Sequence, residues 1–397
     1  MNQYRILGNI IFFVSFMLVQ IGCREERRMP ASVYKYTAPI YSDIQLVAVG
    51  DTLTYALDDS TYTAIKSFNL FVHKGKEYIC FYDQRSQTVN VYQFETQQFT
   101  GKISLKKWFK GSPLFRTSVY VKNFDSIYVA NLDKLYLFNR KGGKRGSVDY
   151  LDKASAVFEN ESQPVFKGGK VFMLVRPGVD YTSLSALEKW KTIYEFDIAN
   201  KAADLHYSLP ELYQSNLFGS QYMEYNFCFN NRGRFVFSFP ADTNIYETDL
   251  MDYHIGYNAK SHFQQGSIPP LSIDQFKGDT INKQYKLRDA YGPIFFDPYK
   301  KRYLRLAKQK LTEVAYAAKQ PRKQTVIIFD ESLRIIGESA FSNSLSFNSI
   351  IFSAVGNMYV RVNNADEQAI HFARLAYKEV PKDSLQQLTK LDTKIIK

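Results

Sequence analysis

Apolar and polar positions along the chain repeat one phrase six times. A short apolar run with an aromatic residue ends near a Phe and breaks into a turn. The copies are Val91-Tyr92-Gln93-Phe94, Leu135-Tyr136-Leu137-Phe138, Ile193-Tyr194-Glu195-Phe196, Ile245-Tyr246-Glu247-Thr248, Val326-Ile327-Ile328-Phe329 and Ile370-His371-Phe372. Each is preceded by a pair of apolar runs joined at a turn: Lys74-Gly75-Lys76, Asn123–Ser126, Lys167–Lys170, Asn230–Gly233, Pro298–Lys301 and Val355-Gly356-Asn357. Gly, Asn, Asp and Pro are the residues that tight hairpins require. A further β run follows five copies: Gly101–Leu105, Gly146–Tyr150, Asp204–Leu209, His254–Asn258 and Ile335–Ser339. The sixth copy has none after it, but an unpaired β run, Ile44 to Leu57, stands near the start of the chain.

Four strands per unit, six units, and a last unit completed from the other end of the chain predict an all-β, six-bladed β-propeller closed by an amino-terminal strand. A pair of sandwiches would not explain the strand missing at the end, and a seventh blade would have to occupy the long interval between Thr248 and Phe329. That interval, from Ser267 to Arg288, reads as loop and short helix, and Ser183–Trp190 as a helical insertion. Beyond Glu379, Leu385, Leu388, Leu391 and Ile395 recur at helical spacing and predict an amphipathic tail helix. Composition agrees: of 397 residues 16% are aromatic, with 31 Phe and 29 Tyr against 2 Trp, and these rings favour half-buried strands. A charged fraction of 23% excludes global disorder.

The amino terminus follows a different pattern. Arg5 precedes an uncharged apolar run from Ile6 to Ile21, too short for a comfortable membrane span and suited to a secretory signal. The run ends at Gly22-Cys23 and gives way to Arg24-Glu25-Glu26-Arg27-Arg28. A small residue before a cysteine resembles a bacterial lipobox, in which the cysteine thiol takes a diacylglyceryl group and becomes the new amino terminus. Gln20 stands where that pattern usually has Leu. The expected organisation is a signal peptide over 1–22, a tether over 23–35 beginning at lipidated Cys23, a propeller over 36–378 and a tail over 379–397. The expected location is the cell envelope, the outer membrane rather than the inner. Two or three acyl chains hold a protein durably, since each buried CH₂ contributes about 0.8 kcal/mol. The remaining cysteines, Cys80 and Cys228, sit in strand-like runs and read as buried free thiols.

Catalytic and metal motifs give little. The five histidines show no metal-ligand spacing, no Gly-x-Ser-x-Gly elbow occurs, and Ser104–Lys107 and Lys141–Gly146 match nucleophile and phosphate-loop patterns only superficially. No cofactor and no metal site is expected, and no carboxylate pair stands out. The net charge of +12 is scattered, and in an exported chain it suits anionic lipid or polysaccharide better than nucleic acid. Asp-Ser and Asp-Thr dipeptides before Leu, Ile or Thr make Thr52, Ser60, Ser126, Thr280 and Ser384 candidate O-glycosylation positions; the same dipeptides are ordinary turn formers.

The last third resembles the TolB-like six-bladed propeller lipoproteins of Bacteroidetes, a family of unknown function. The resemblance rests on Pro293-Ile294-Phe295-Phe296-Asp297 leading to Tyr303-Leu304-Arg305, on Val326–Asp330 with Glu338, and on Asn363–Glu367 with Phe372-Ala373-Arg374. It implies fold and anchoring and supplies no catalytic residue. Tyr303, Arg305, Asp366, Glu367 and Arg374 are the most motif-like polar positions, and the expectation is that they are structural, with arginines meeting acids across the seams between blades. The functional expectation is a membrane-anchored binding or scaffolding module engaging an envelope protein, peptide or glycan. The alternative is a polysaccharide-acting hydrolase or lyase, which carboxylates converging at the channel mouth would favour.

Overall fold

The computed structural model describes residues 32–62, 65, 67–109, 117–151, 154–176, 178–276, 280–363 and 368–381. The signal segment, Cys23, most of the tether, Asp366, Glu367, Ser384 and the predicted tail helix lie outside the described residues.

Each of the six recurring phrases is the third strand of an antiparallel sheet, and the six sheets form a six-bladed propeller. Blade one is Ser67–His73, Lys76–Asp83, Thr88–Gln93 and Phe99–Ser104; blade two is Ser118–Asn123, Ser126–Ala130, Lys134–Phe138 and Lys144–Asp149. In blade three the innermost position is split between Ala156–Val157 and Val165–Lys167, both paired with Lys170–Val175, and Lys191–Asp197 and Ala202–Ser208 follow. Blade four is Asn226–Phe229, Phe235–Ser238, Asn244–Thr248 and His254–Asn258; blade five is Ala290–Asp297, Arg302–Lys308, Gln324–Phe329 and Ile335–Phe341. The long interval after Thr248 is thus the outer strand of blade four, an insertion and the first half of blade five, and no seventh blade arises.

Blade six closes the ring. Leu345–Phe352, Met358–Val362 and Ala369–Glu379 are completed by Ile44–Ala56, which runs antiparallel to the last strand with Leu53 opposite Phe372. An aromatic cluster seals this joint to blade one: Tyr55 is fully buried and makes edge contacts with Phe81, Tyr92 and Phe372. The chain reaches its closing position by crossing the outer strand of blade five, where a Cβ on Gly337 would sit 2.0 Å from the Ile44 carbonyl oxygen. Only glycine allows that approach. Val33–Lys35, counted above with the tether, adds a fifth, parallel strand to the rim of blade four, with Tyr34 lying over Gly256.

The two faces of the ring differ in how strands are joined. On one face the first and second strands meet in tight hairpins, as at Lys74-Gly75 and Gly168-Gly169, where both central residues have positive φ as a two-residue type I′ turn requires. On the other face lie the loops between second and third strands and between one blade and the next. All four described α-helices are inserted there: α1 (Leu184–Lys189), α2 (Glu211–Gln214), α3 (Thr280–Lys286) and α4 (Glu313–Ala317). These are the hairpin face and the insertion face below.

Candidate binding site in the central channel

Blade three supplies the residues that shape the channel. Between its two half-strands the run Phe158–Pro164 leaves the sheet and bonds to the innermost strands of three other blades. The Phe158 amide donates to Ser118 Oγ at 2.8 Å, Asn160 Oδ1 accepts from the Phe68 amide at 2.7 Å, and Ser162 Oγ accepts from the Phe227 amide at 3.0 Å. The run is polar apart from its ends and carries Pro164, so it cannot complete a ladder strand. It divides the channel into two cavities, and Asn160 and Glu161 line both.

The cavity on the insertion face has a volume of about 1150 Å³ and draws lining residues from all six blades. Glu159, Glu161 and Glu224 line it together with Arg176, Lys308 and Arg361. The rings of Tyr225, Tyr285 and Tyr291 and several serine and amide side chains complete the wall. Glu159 and Glu161 are half-buried in the cavity wall, and Glu224 is exposed at it. None makes an ion pair within the described residues, so burial dominates their titration. Burial raises Glu159 above the ordinary carboxylate range, against the pull of Arg176. Burial, then the neighbouring Glu159, pushes Glu161 up to about 8. Glu224 is raised by burial and held back by Lys308. Burial therefore favours the protonated form of Glu161.

Other buried carboxylates show what a structural glutamate looks like in this fold. Glu247 is fully buried and accepts from Arg232, from Asn230 at 2.7 Å and from Tyr253 at 2.8 Å. Glu338 accepts from Ser261 and Thr325 and lies 2.8 Å from His262 Nδ1. Both are satisfied by fixed donors. The channel glutamates are not, and perturbed, unpaired groups in a cleft are the mark of a functional site. Among the described residues no three His, Cys, Asp or Glu side chains stand close enough together to hold a metal ion.

The hairpin-face cavity is smaller, about 490 Å³, and mostly apolar. Leu70, Phe166, Phe229, Phe296, Ile351 and Phe352 line it, each close to a hairpin turn of its blade.

The motif-like residues named from sequence lie elsewhere. Tyr303 and Arg305 are fully buried at the seam between blades four and five. Arg305 stacks on Tyr291 at 3.8 Å and donates to Ser238 Oγ at 2.9 Å and to the carbonyls of Ala259, Phe239 and Asp242 at 3.2, 3.1 and 2.8 Å. It crosses the seam as expected but meets carbonyls rather than an acid, because the Asp242 carboxylate is already held by Tyr246 at 2.6 Å. Tyr303 accepts from Asn230 Nδ2 at 3.0 Å. Arg374 does not cross a seam. It pairs with Asp51 at 2.7 Å inside its own blade, since the closing strand bulges between Val49 and Thr52 and turns Asp51 toward it. Cys80 and Cys228 are free, and burial pushes the Cys80 thiol up to about 12. Thr52, Ser60 and Thr280 are exposed and Ser126 half-buried, on three separate parts of the ring. None of these residues lines the polar cavity. Glu159 and Glu161 went unnoticed in the sequence because they lie in a loop without a motif. Their one local signal is two glutamates spaced two apart.

The family described as "Domain of unknown function (DUF4221)" matches residues 43–340. The fold is similar to that of a DUF4221 family member from Bacteroides vulgatus, 20% identical, with a TM-score of 0.72 over 85% of this chain and 99% of that one. A Bacteroides fragilis protein described as exported is 12% identical, with a TM-score of 0.53 over 88% of this chain and 99% of that one. At such identities the likeness concerns the fold alone. No curated protein matches the chain at a significant level.

Proposed function

The chain belongs to the DUF4221 family, and we propose that it is an exported, membrane-anchored binding module whose ligand site is the polar end of the channel. The observation that carries this reading is the placement of Glu159, Glu161 and Glu224, without ion pairs among the described residues, beside three cations in one cavity on the face that holds all the described α-helices. Partial burial of Glu159 and Glu161 without fixed partners costs stability, and such perturbed groups in a cleft fit a site that meets a ligand. The mixture of acids, bases, amides, hydroxyls and tyrosine rings suits a polar ligand of an envelope: a glycan or a peptide. Anchoring is through Cys23, on the lipobox-like Gly22-Cys23, and location in the envelope accords with the exported neighbour from Bacteroides fragilis.

The test is a glycan and peptide array probed with the full chain and with Glu161→Gln and Lys308→Met. Hits lost in both variants with no fall in melting temperature support the site; hits retained in both overturn it. Anchoring is tested separately by Cys23→Ser, which releases the protein from the membrane fraction or leaves it unprocessed. Unchanged processing and detergent partitioning in that variant overturn the anchor.

One observation favours a second reading. A carboxyl whose protonated form is favoured by burial, with further carboxylates lining the same cavity, is the kind of group that acid catalysis of glycoside hydrolysis uses. Release of reducing ends from envelope polysaccharides by the full chain, abolished in Glu161→Gln, distinguishes a hydrolase from a binding module.

A further inference from the structure

The hairpin face presents an apolar cavity inside a ring of basic turns. Its opening is lined by half-buried rings of Phe166, Phe229, Phe296 and Phe352. Five of the six inner hairpins that follow these lining strands carry cations: Lys74 and Lys76, Lys122, Lys167 and Lys170, Arg232 and Arg234, and Lys300 and Lys301. The same hairpins carry the acids Glu77 and Asp125, and Lys170, Arg232, Arg234 and Lys301 pair with Glu195, Glu247 and Glu331. The sixth turn carries Val355, which is 73% exposed. Cavity wall and cationic ring are in contact, since Lys122 Nζ stands 4.2 Å over the Phe166 ring. Lys74, Lys76 and Lys300 are exposed and make no ion pair among the described residues. A cavity of about 490 Å³ falls within the range of small-molecule pockets, roughly 300–1,000 Å³.

We propose that this mouth is a second binding site, distinct from the polar end, for a single-chain anionic amphiphile: its acyl chain in the cavity, its carboxylate or phosphate on the basic turns. The apolar lining supplies the transfer energy of the chain, and the cations supply selection for a negative head. Two sources share this chemistry, a free fatty acid and an anionic lipid of a bilayer leaflet. Chain direction puts both described ends of the chain on this face. The first described residue, Ser32, bonds His254 at the start of the outer strand of blade four, on the hairpin face. The last strand, Ala369–Glu379, also ends on that face, so both ends of the described chain lie on the hairpin face.

The experiment uses the full chain with Cys23→Ser, which needs no detergent. It is titrated calorimetrically with laurate and with dodecyltrimethylammonium, a cation of the same chain length, and sedimented with phosphatidylglycerol or phosphatidylcholine vesicles. Laurate binding at least tenfold tighter than the cation identifies a free acid as ligand; sedimentation with phosphatidylglycerol and not phosphatidylcholine identifies a leaflet lipid. Either supports the site. Lys74→Glu with Lys300→Glu, on exposed turns that carry no packing, weakens both at unchanged melting temperature, which keeps the test independent of cavity variants such as Phe352→Asp that fail to fold. Equal affinity for laurate and the cation overturns the proposal, as does full binding by the charge-reversed variant. Binding seen only with Leu388→Asp and Leu391→Asp also overturns it, because the chain's own tail is then the occupant. Array binding at the polar end is read separately, and neither result decides the other.

Discussion

The two ends of one channel are built from the same six strands and have opposite chemistry. At the hairpin end the chain turns back in a few residues, so the wall is whatever the strand ends carry, chiefly Phe and Ile. At the insertion end loops of up to some thirty residues fold over the mouth, and the wall is Glu, Arg, Lys, Ser and Tyr. The partition between them is one short run of blade three that left its sheet. Strand geometry fixes the scaffold, whereas connection length decides how much foreign chemistry each end can hold.

Variants can break this comparison at successive scales. The largest effect is expected from deleting residues 24–57, which removes the closing strand and opens blade six at Phe372. Both ends should be lost together, with destabilisation above about 4–5 kcal/mol and a single lowered transition in calorimetry. An unchanged melting temperature would show that the ring does not need its clasp.

Arg305→Ala comes next. The guanidinium serves the insertion end of the seam between blades four and five, and its loss takes a donor from Ser238 and from the carbonyls of Ala259, Phe239 and Asp242, of which Phe239 keeps the Asp242 amide. The expected cost is about 3–5 kcal/mol by chemical denaturation. On the same strand Tyr303 serves the hairpin end by accepting from Asn230 and, at 3.5 Å, from Arg232, both of which also donate to Glu247, so Tyr303→Phe should cost only about 0.5–1.5 kcal/mol. Similar losses from the two would mean that the ends are not held separately.

Glu161→Gln sharpens the polar end by its pH dependence. The folded carboxyl titrates at about 8 against an ordinary 4.5, so the folded state binds the extra proton. Wild-type stability is fully present below about pH 4.5 and falls as pH rises through 8. The glutamine chain carries no such loss at this position. Its advantage over wild type should be absent at pH 4 and grow toward pH 8 in thermal melts. A constant offset would place Glu161 in ordinary solvent.

The smallest effect is expected at Arg374→Ala. Its partner Asp51 is 70% exposed, and such a pair contributes roughly 0–1 kcal/mol, reduced further by salt. A loss as large as that of Arg305 would mean that the closing strand depends on this one ion pair.

Much of the architecture is legible along the chain. Val91–Phe94 and its five counterparts mark every third strand, Lys74-Gly75 and Gly168-Gly169 mark hairpins, and the strand missing after Phe372 points to Ile44–Leu57. These are local signals: period-two patterning, turn chemistry and a count. Arg305 was visible as a structural residue, but its carbonyl partners were not, because backbone acceptors leave no trace in residue type. The channel acids were illegible for a related reason. Glu159 and Glu161 occupy a loop in blade three, Glu224 a loop leading into blade four, and Lys308 the end of a strand in blade five.

The sequence by itself determined six sheets, their order, and the closure of the last by the first strand, because hydrogen-bonded ladders and their turns are written in neighbouring residues. Tertiary structure alone decided which side chains meet at the axis, which of them lose water, and hence that burial raises Glu161 while Glu247 and Glu338 are fixed by donors. Desolvation belongs to a place in space, and the ring makes that place only when all six blades have come together.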